Sequence, residues 1–328
     1  MRSIPARSLL SGLTRSFTIY DASDSEKLMK EVIRDMGLDD KSFSAKSALN
    51  LISSAKDKMI SPGKYLAGAH DSADFRASQV ARAYAEYQKR LKAANAVDFD
   101  DIILLTVQLL QEYDDIREYY QKKFRYVLID EYQDTNNLQY LLATLLSGRY
   151  ENICVVGDDD QSIYRFRGAT IANILNFENQ YAGAKVIRLE QNYRSTKYIL
   201  DAANAVIAHN QGRKGKKLWT ENPQGDRITL YEASTESDEA NFVAGRILSG
   251  IAQGMNFRDY AVLYRTNAQS NAIELSFKRN GVPYRIIGGM RFFDRTEVKD
   301  MLAYLCVINN RTDDLRLRRI INVPARGI

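Results

Sequence analysis

Histidine and cysteine are almost missing, with two of each in 328 residues. His70 and His209 are isolated from each other and from any cysteine pair, so no zinc site is expected. Cys154 falls in an apolar run and Cys306 in a helical pattern. Both read as buried small hydrophobes of a reducing, cytoplasmic compartment and not as a disulfide. No apolar stretch approaches the roughly 20 residues of a membrane helix, so no membrane partner is expected. Internal repeats and low-complexity tracts are lacking too. The net charge of +5 is modest; it permits a polyanionic partner without specifying one.

The length suits two or more domains. The first sixteen residues carry Arg2, Arg7, Arg15 and four serines with no acid. That composition resembles a transit peptide, but an irregular N-terminus is the preferred reading. From about residue 23 to 123 the pattern is helical. Ser23 with Glu26 forms a candidate capping box before Leu28, Met29, Val32, Ile33 and Met36. Ser44 is a candidate cap for a second helix, and Pro62-Gly63 breaks the pattern. A long helix follows from about Ser72, with Val80, Tyr84, Tyr87 and Leu91 on one stripe. Ile102, Ile103, Thr106, Leu109 and Leu110 make another.

After Arg125 strands alternate with helices, the grammar of a parallel α/β sheet. Val127-Leu-Ile129 reads as a fully buried strand ending in two carboxylates, Asp130 and Glu131. Ile153-Cys-Val-Val156 leads into Gly157-Asp-Asp-Asp-Gln161, and Lys185 to Leu189 leads into Glu190-Gln-Asn-Tyr-Arg-Ser195. Ligands of open parallel sheets bind outside the carboxyl ends of the strands. Acids, an amide and an arginine delivered there are the equipment of nucleotide hydrolysis. Taken singly, Asp130-Glu131 could solvate a strand end or cap a helix, and Asn192 to Ser195 could be a turn with an N-cap. Ser195 reads as the cap of a helix through Ile199, Ala203 and Ile207. Further strands are expected at 228–231, 261–264 and 284–287, separated by helices near 238–251 and 270–280. Residues 296–308 read as helix.

Three segments closely resemble consecutive motifs of the UvrD/Rep/PcrA helicases of superfamily 1, which move 3′ to 5′ on DNA. They are Asp130 to Asp134, Gly157 to Ala169 and Leu189 to Ser195. Ala261 to Ser270, Gly288 to Asp294 and Ile320 to Gly327 are typical of the same family. The resemblance covers nearly everything after Phe17. One departure is large: no Gly-x-x-x-x-Gly-Lys-Ser/Thr phosphate loop occurs anywhere in the sequence. Gly212 to Lys217 has the wrong spacing and no hydroxyl residue for magnesium. The chain is therefore expected to be an interior segment, whether an engineered fragment, one part of a split gene or a degenerate copy.

The resemblance implies RecA-like parallel-sheet motor domains, both incomplete, with an N-terminal helical insert. The implied boundaries are 1–97 for the insert and 98–190 for the later half of the first motor domain. Residues 191–293 would begin the second motor domain, and 294–328 a second insert. It implies ATP and Mg²⁺ as cofactors, with Asp130 on the metal and Glu131 accepting a proton from the attacking water. Gln161 would sense the γ-phosphate, Tyr193 would stack on adenine, and Arg194 would be an arginine finger. Tyr164, Phe166 and Arg167 would stack single-stranded bases, with Phe166 where the family commonly carries Trp. Arg265 and Asn267 would lie near DNA. Arg213, Lys214, Lys216 and Lys217 beside Trp219 could touch phosphates, though a solvated loop is the preferred reading. Single-stranded DNA, single/double-strand junctions and repair or replication proteins are the implied partners. A non-catalytic module that binds single-stranded DNA or protein is the rival reading. A helicase-nuclease subunit ranks below both.

Overall fold

The computed structural model describes residues 12–38, 43–71, 75–165, 168–210, 215–287 and 295–328. The chain divides into two compact units. The first comprises Met1–Glu190, Ala205–Lys217 and Thr296–Ile328; the second comprises Gln191–Asn204 and Leu218–Arg295.

The first unit opens with strand β1 (Thr18–Ile19) and helices α1 (Ala22–Asp35), α2 (Ala45–Asp57), α3 (Pro62–Asp71) and α4 (Phe75–Ala93). Strand β2 (Ala96–Val97) returns parallel to β1, with Thr18 opposite Ala96. Helix α1 is capped by Asp21 rather than Ser23. The Asp21 carboxylate accepts the Asp24 N–H at 2.8 Å, and Asp24 accepts the Asp21 N–H at 3.3 Å. Ser23 instead donates its hydroxyl to Asp21 at 2.7 Å. A full negative charge meets the positive end of the helix better than a hydroxyl does. Ser44 caps α2 as expected. Pro62 opens α3 instead of merely breaking the pattern, because a first-turn residue needs no N–H. Val80, Tyr84, Tyr87 and Leu91 are buried against Met29, Val32, Ile33 and Ile52, so the stripe read from the sequence is the core-facing one.

Helices α5 (Phe99–Glu112) and α6 (Asp114–Lys123) lead to strand β3 (Val127–Ile129), helix α7 (Asn137–Ser147) and strand β4 (Ile153–Val155). The buried row of α5 is Asp101, Leu104, Val107 and Leu110, offset from the expected stripe. That helix is apolar on most sides, so periodicity alone selects no face. The ion pair from Lys56 to Asp101, at 2.8 Å, fixes its rotation. Strands β3 and β4 pair in parallel, with Leu128 opposite Cys154. The expectation of fully buried strands fails on one side: Leu128 is 77% exposed, and Cys154 is exposed beside it. Two strands cover each other's edges but leave one face of this sheet open. The segment expected as a third strand, 185–189, joins no ladder. Short helices α8 (Ala172–Leu175) and α9 (Phe177–Gln180) follow β4.

The second unit contains α10 (Lys197–Ile207) as far as Asn204, then α11 (Glu236–Ala252) and α12 (Ala268–Arg279). The last two pack through Ala244, Ile247 and Phe277, joined by Val282. Segments 228–231, 261–264 and 284–287 form no strand. An apolar run states which face a strand would bury, but a strand exists only where its N–H and C=O groups find a partner. Helices α13 (Thr296–Asn309) and α14 (Asp314–Ile320) belong to the first unit. A polar seam joins them to its start. Asn310 donates to Thr18 Oγ1 at 2.9 Å and to the Ala94 carbonyl at 2.8 Å. The Tyr20 hydroxyl donates to Asp313 at 2.7 Å, and Arg316 donates to Asp24 at 2.9 Å.

Candidate active site

The site is built at the carboxyl ends of β3 and β4. Val156 N–H donates to the Ile129 carbonyl at 2.8 Å, and Tyr132 N–H donates to the Val156 carbonyl at 2.9 Å. The ladder thus continues past both strands and fixes where the acids leave the sheet. Glu131 turns the chain at once, at φ 52° and ψ 41°, in the left-handed region. That conformation costs a non-glycine residue roughly 1–2 kcal/mol. Asp130 offsets part of the cost by accepting the Glu131 N–H at 2.9 Å. A 3₁₀ turn, Tyr132–Asp134, and an Asn136 cap then launch α7. Asn173 pins this turn, donating to the Thr135 carbonyl and hydroxyl, both at 3.1 Å.

Both carboxylates of the acid pair are exposed. A solvent-facing carboxylate is a suitable ligand for a hydrated hard cation, so Asp130 fits the magnesium role. The Glu131 carboxylate accepts at 2.7 Å from the side-chain amide of Gln133. Gln133 is buried, and its amide oxygen accepts the Asp158 N–H at 3.0 Å. Asp158 accepts in turn from Gln161 Nε2 at 2.8 Å. The structure therefore brings Glu131 and Gln161 into one hydrogen-bonded chain. Gly157 makes the approach possible: a Cβ there would lie 2.6 Å from Gln133 Oε1 and 2.7 Å from Ile174 Cδ1.

Asp158, Asp159 and Asp160 converge within 4.8 Å of one another, and the cation among them is the Lys216 ammonium. Lys216 contacts Asp158, lies 3.1 Å from Asp159 and 3.6 Å from Asp160. Partial burial pushes the Asp158 carboxyl up, but hydrogen bonds from Lys216 and Gln161 outweigh it and hold the group below its ordinary value. Burial pulls Lys216 down, and its bonds to Asp158 and Asp159 more than reverse that. The solvated-loop reading of the basic cluster fails for Lys216. Lys217 is exposed, whereas Arg213 and Lys214 lie outside the described residues.

Tyr193 and Arg194 belong to the second unit, and both are exposed. The Asn192 side chain accepts the N–H groups of Arg194 at 3.0 Å and Ser195 at 2.7 Å, forming the turn that the residue types suggested. Asn222 donates to the carbonyls of Tyr193 at 3.2 Å and Ser195 at 3.1 Å, bracing the same turn. Helix α10 begins at Lys197, two residues beyond the expected cap. Tyr164 is 37% exposed; Phe166 and Arg167 lie outside the described residues. So do residues 288–294, which the sequence marked as a motif. Arg265 and Asn267 are exposed at the start of α12, where Gln269 Oε1 accepts the Arg265 N–H at 2.9 Å. His209 is exposed, as expected of a surface residue. Residue types did not single out Gln133, and they gave Lys216 a place in the basic cluster without its aspartate partners. A polar residue two positions past Glu131, in a turn that must bury itself, was the available signal for Gln133.

The fold is mixed α/β, with a pair of acids where one of two parallel strands ends. Residues 5–182 match the UvrD/REP helicase N-terminal domain, and residues 187–328 match the UvrD-like helicase C-terminal domain. The chain belongs to the UvrD-like helicase family. It is similar to the ATP-dependent DNA helicase UvrD1 of Mycobacterium tuberculosis, at 50% identity over 98% of this chain and 42% of that protein. It is also similar to the ATP-dependent DNA helicase PcrA of Staphylococcus epidermidis, at 48% identity over 97% of this chain and 43% of that protein. PcrA of Staphylococcus aureus is 47% identical over the same shares. The chain thus spans less than half the length of these relatives.

Proposed function

We propose that the chain is an interior segment of an ATP-dependent 3′–5′ DNA helicase that works on single-stranded DNA and strand junctions in repair or replication. One observation carries this reading: the Glu131 carboxylate and the Gln161 amide emerge from adjacent parallel strands and share a single chain of hydrogen bonds through Gln133 and Asp158. The motor domains would be RecA-like, with the boundaries 1–97, 98–190, 191–293 and 294–328. The protein would act in the cytoplasm.

Asp130 would hold Mg²⁺, which neutralises charge on the phosphates of ATP. Glu131 accepts a proton from the attacking water. Gln161, a neutral amide, donates to the γ-phosphate and can return to Asp158 when that phosphate leaves. Arg194 supplies a planar, permanent charge to the transition state, and Tyr193 stacks on the base. Tyr164, Phe166 and Arg167 stack bases of the strand, with Arg265 and Asn267 near its backbone.

Without a phosphate loop, the 328 residues alone lack the cradle of N–H groups and the lysine that hold the triphosphate. Purified chain is expected to release negligible phosphate from ATP, with or without single-stranded DNA. Robust DNA-stimulated release that E131Q abolishes would overturn that expectation. The rival reading, a binding module derived from a helicase, is separated by reading the coding sequence upstream of Met1. An in-frame phosphate loop supports the motor, and its absence supports the module. A salt titration of oligonucleotide binding measures the phosphate contacts in either case.

A further inference from the structure

We propose that Gln133 is the positioning residue of this site, holding the Glu131 carboxylate with one end of its amide and the Gly157–Gln161 loop with the other. The inference rests on Glu131 as the general base and extends that reading to the residue that aims it.

Glu131 is exposed and sits in a strained backbone conformation. An exposed glutamate free to rotate would spend little time in one orientation. A general base must stay within hydrogen-bond reach of its water, and small misplacements are expensive. Gln133 supplies the restraint from below. The residue is 1% exposed, so its amide is shielded from bulk solvent. Its N–H donates to Glu131 Oε2 at 2.7 Å while its oxygen accepts from Asp158 N–H at 3.0 Å. The main-chain carbonyl of Gln133 also receives the Ser162 hydroxyl, at 3.5 Å, from just beyond Gln161.

A neutral amide donates and accepts in these two directions at once. A charged glutamate could still accept from Asp158 but could not donate to Glu131. Methionine could do neither. Gly157 is part of the same device, since any Cβ there would collide with the Gln133 oxygen. The result is that the base and the γ-phosphate amide are tied to one buried group, so displacing either strains the other.

The test measures ATP turnover in the complete helicase polypeptide carrying E131Q, Q133M or Q133E, with amide exchange at Asp158 as the structural control. E131Q should abolish turnover. Q133M should lower kcat on the order of 10²-fold with little change in KM, and should speed exchange at Asp158. Q133E should keep Asp158 protected yet lose turnover at about pH 8. It should regain activity relative to wild type toward about pH 6, as burial and the neighbouring carboxylate favour a protonated Glu that can donate again. A purely structural role would leave that pH profile parallel to wild type. If Q133M fails to fold, Q133E alone decides the question. E131Q dead with Q133M fully active overturns this inference only. A Q133E profile parallel to wild type does the same. Active E131Q overturns the reading of Glu131 and the inference with it.

Discussion

Lys56 Nζ lies 2.6 Å from Asp98 Oδ2, with the lysine side chain wholly withdrawn from solvent. It also lies 2.8 Å from Asp101, and Tyr87 donates to Asp98 at 3.1 Å. This joins the end of α2 to the capping box of α5, the helix on which α7 and the strand-end site rest. Burial alone would lower the lysine's proton affinity, but the two carboxylates raise it above the ordinary value. Lys56→Met should therefore cost about 3–5 kcal/mol, because it leaves two buried carboxylates without a counter-charge. Urea unfolding of the chain gives the number. A loss below 1 kcal/mol would mean that water reaches the acids.

Gly157→Ala places a methyl group 2.6 Å from Gln133 Oε1 and 3.2 Å from Tyr132 N. The buried Gln133 side chain and the half-buried Ile174 must both shift to admit it, with the Tyr132 backbone close behind. The expected loss is about 1–3 kcal/mol, the usual cost of overpacking. Chemical-shift changes should centre on Gln133 and Asp158. A spectrum unchanged at Gln133 would show that the turn yields freely.

The Lys216 latch has a signed pH dependence. Asp158 is held below its ordinary value of 3.8, so its contribution is present above that value and disappears as pH falls through the lower folded one. Lys216 is held above 10.5, so its contribution is present below that value and disappears as pH rises through the higher one. Between these limits, Lys216→Met should cost roughly 1–3 kcal/mol, as charge-assisted hydrogen bonds do. Melting curves of the two proteins should begin to converge as pH falls below about 4 and should meet only once it has passed the lower folded value of Asp158. A gap that persists there would point to packing by the lysine stem.

Tyr20→Phe removes the hydroxyl that donates to Asp313 at 2.7 Å, in a seam where Asp313 is 1% exposed. The carboxylate stays buried and keeps the Arg316 guanidinium at 3.4 Å and the Arg316 N–H at 3.2 Å. A loss of about 1.5–3 kcal/mol is expected, read by thermal melting. Asp313→Asn should be milder in that background, because it removes the buried charge. Additive losses from the two changes would contradict a direct bond.

Residue types made the helices legible wherever a cap and a clear stripe coincided. Ser44 and the Val80–Leu91 face are examples. Helix α5 was misjudged because its sides are nearly all apolar, and a buried ion pair chose between them. Strands were legible as apolar runs but not as ladders, since pairing depends on distant chain. Leu128 read as part of a buried strand and Leu263 as part of a strand, yet they stand 77% and 89% exposed. For the site, the motifs carried Asp130, Glu131 and Gln161. The groups that support them were not legible, because each acts through a contact distant in sequence: Gln133 with Asp158, and Lys216 with the three aspartates.

Glu131 is the residue proposed to receive the water's proton. Steady-state ATP hydrolysis by the complete polypeptide, wild type against E131Q and with single-stranded DNA present, tests this most directly. Loss of DNA-stimulated turnover with nucleotide binding retained is the expected result. Turnover that survives the substitution would contradict the account.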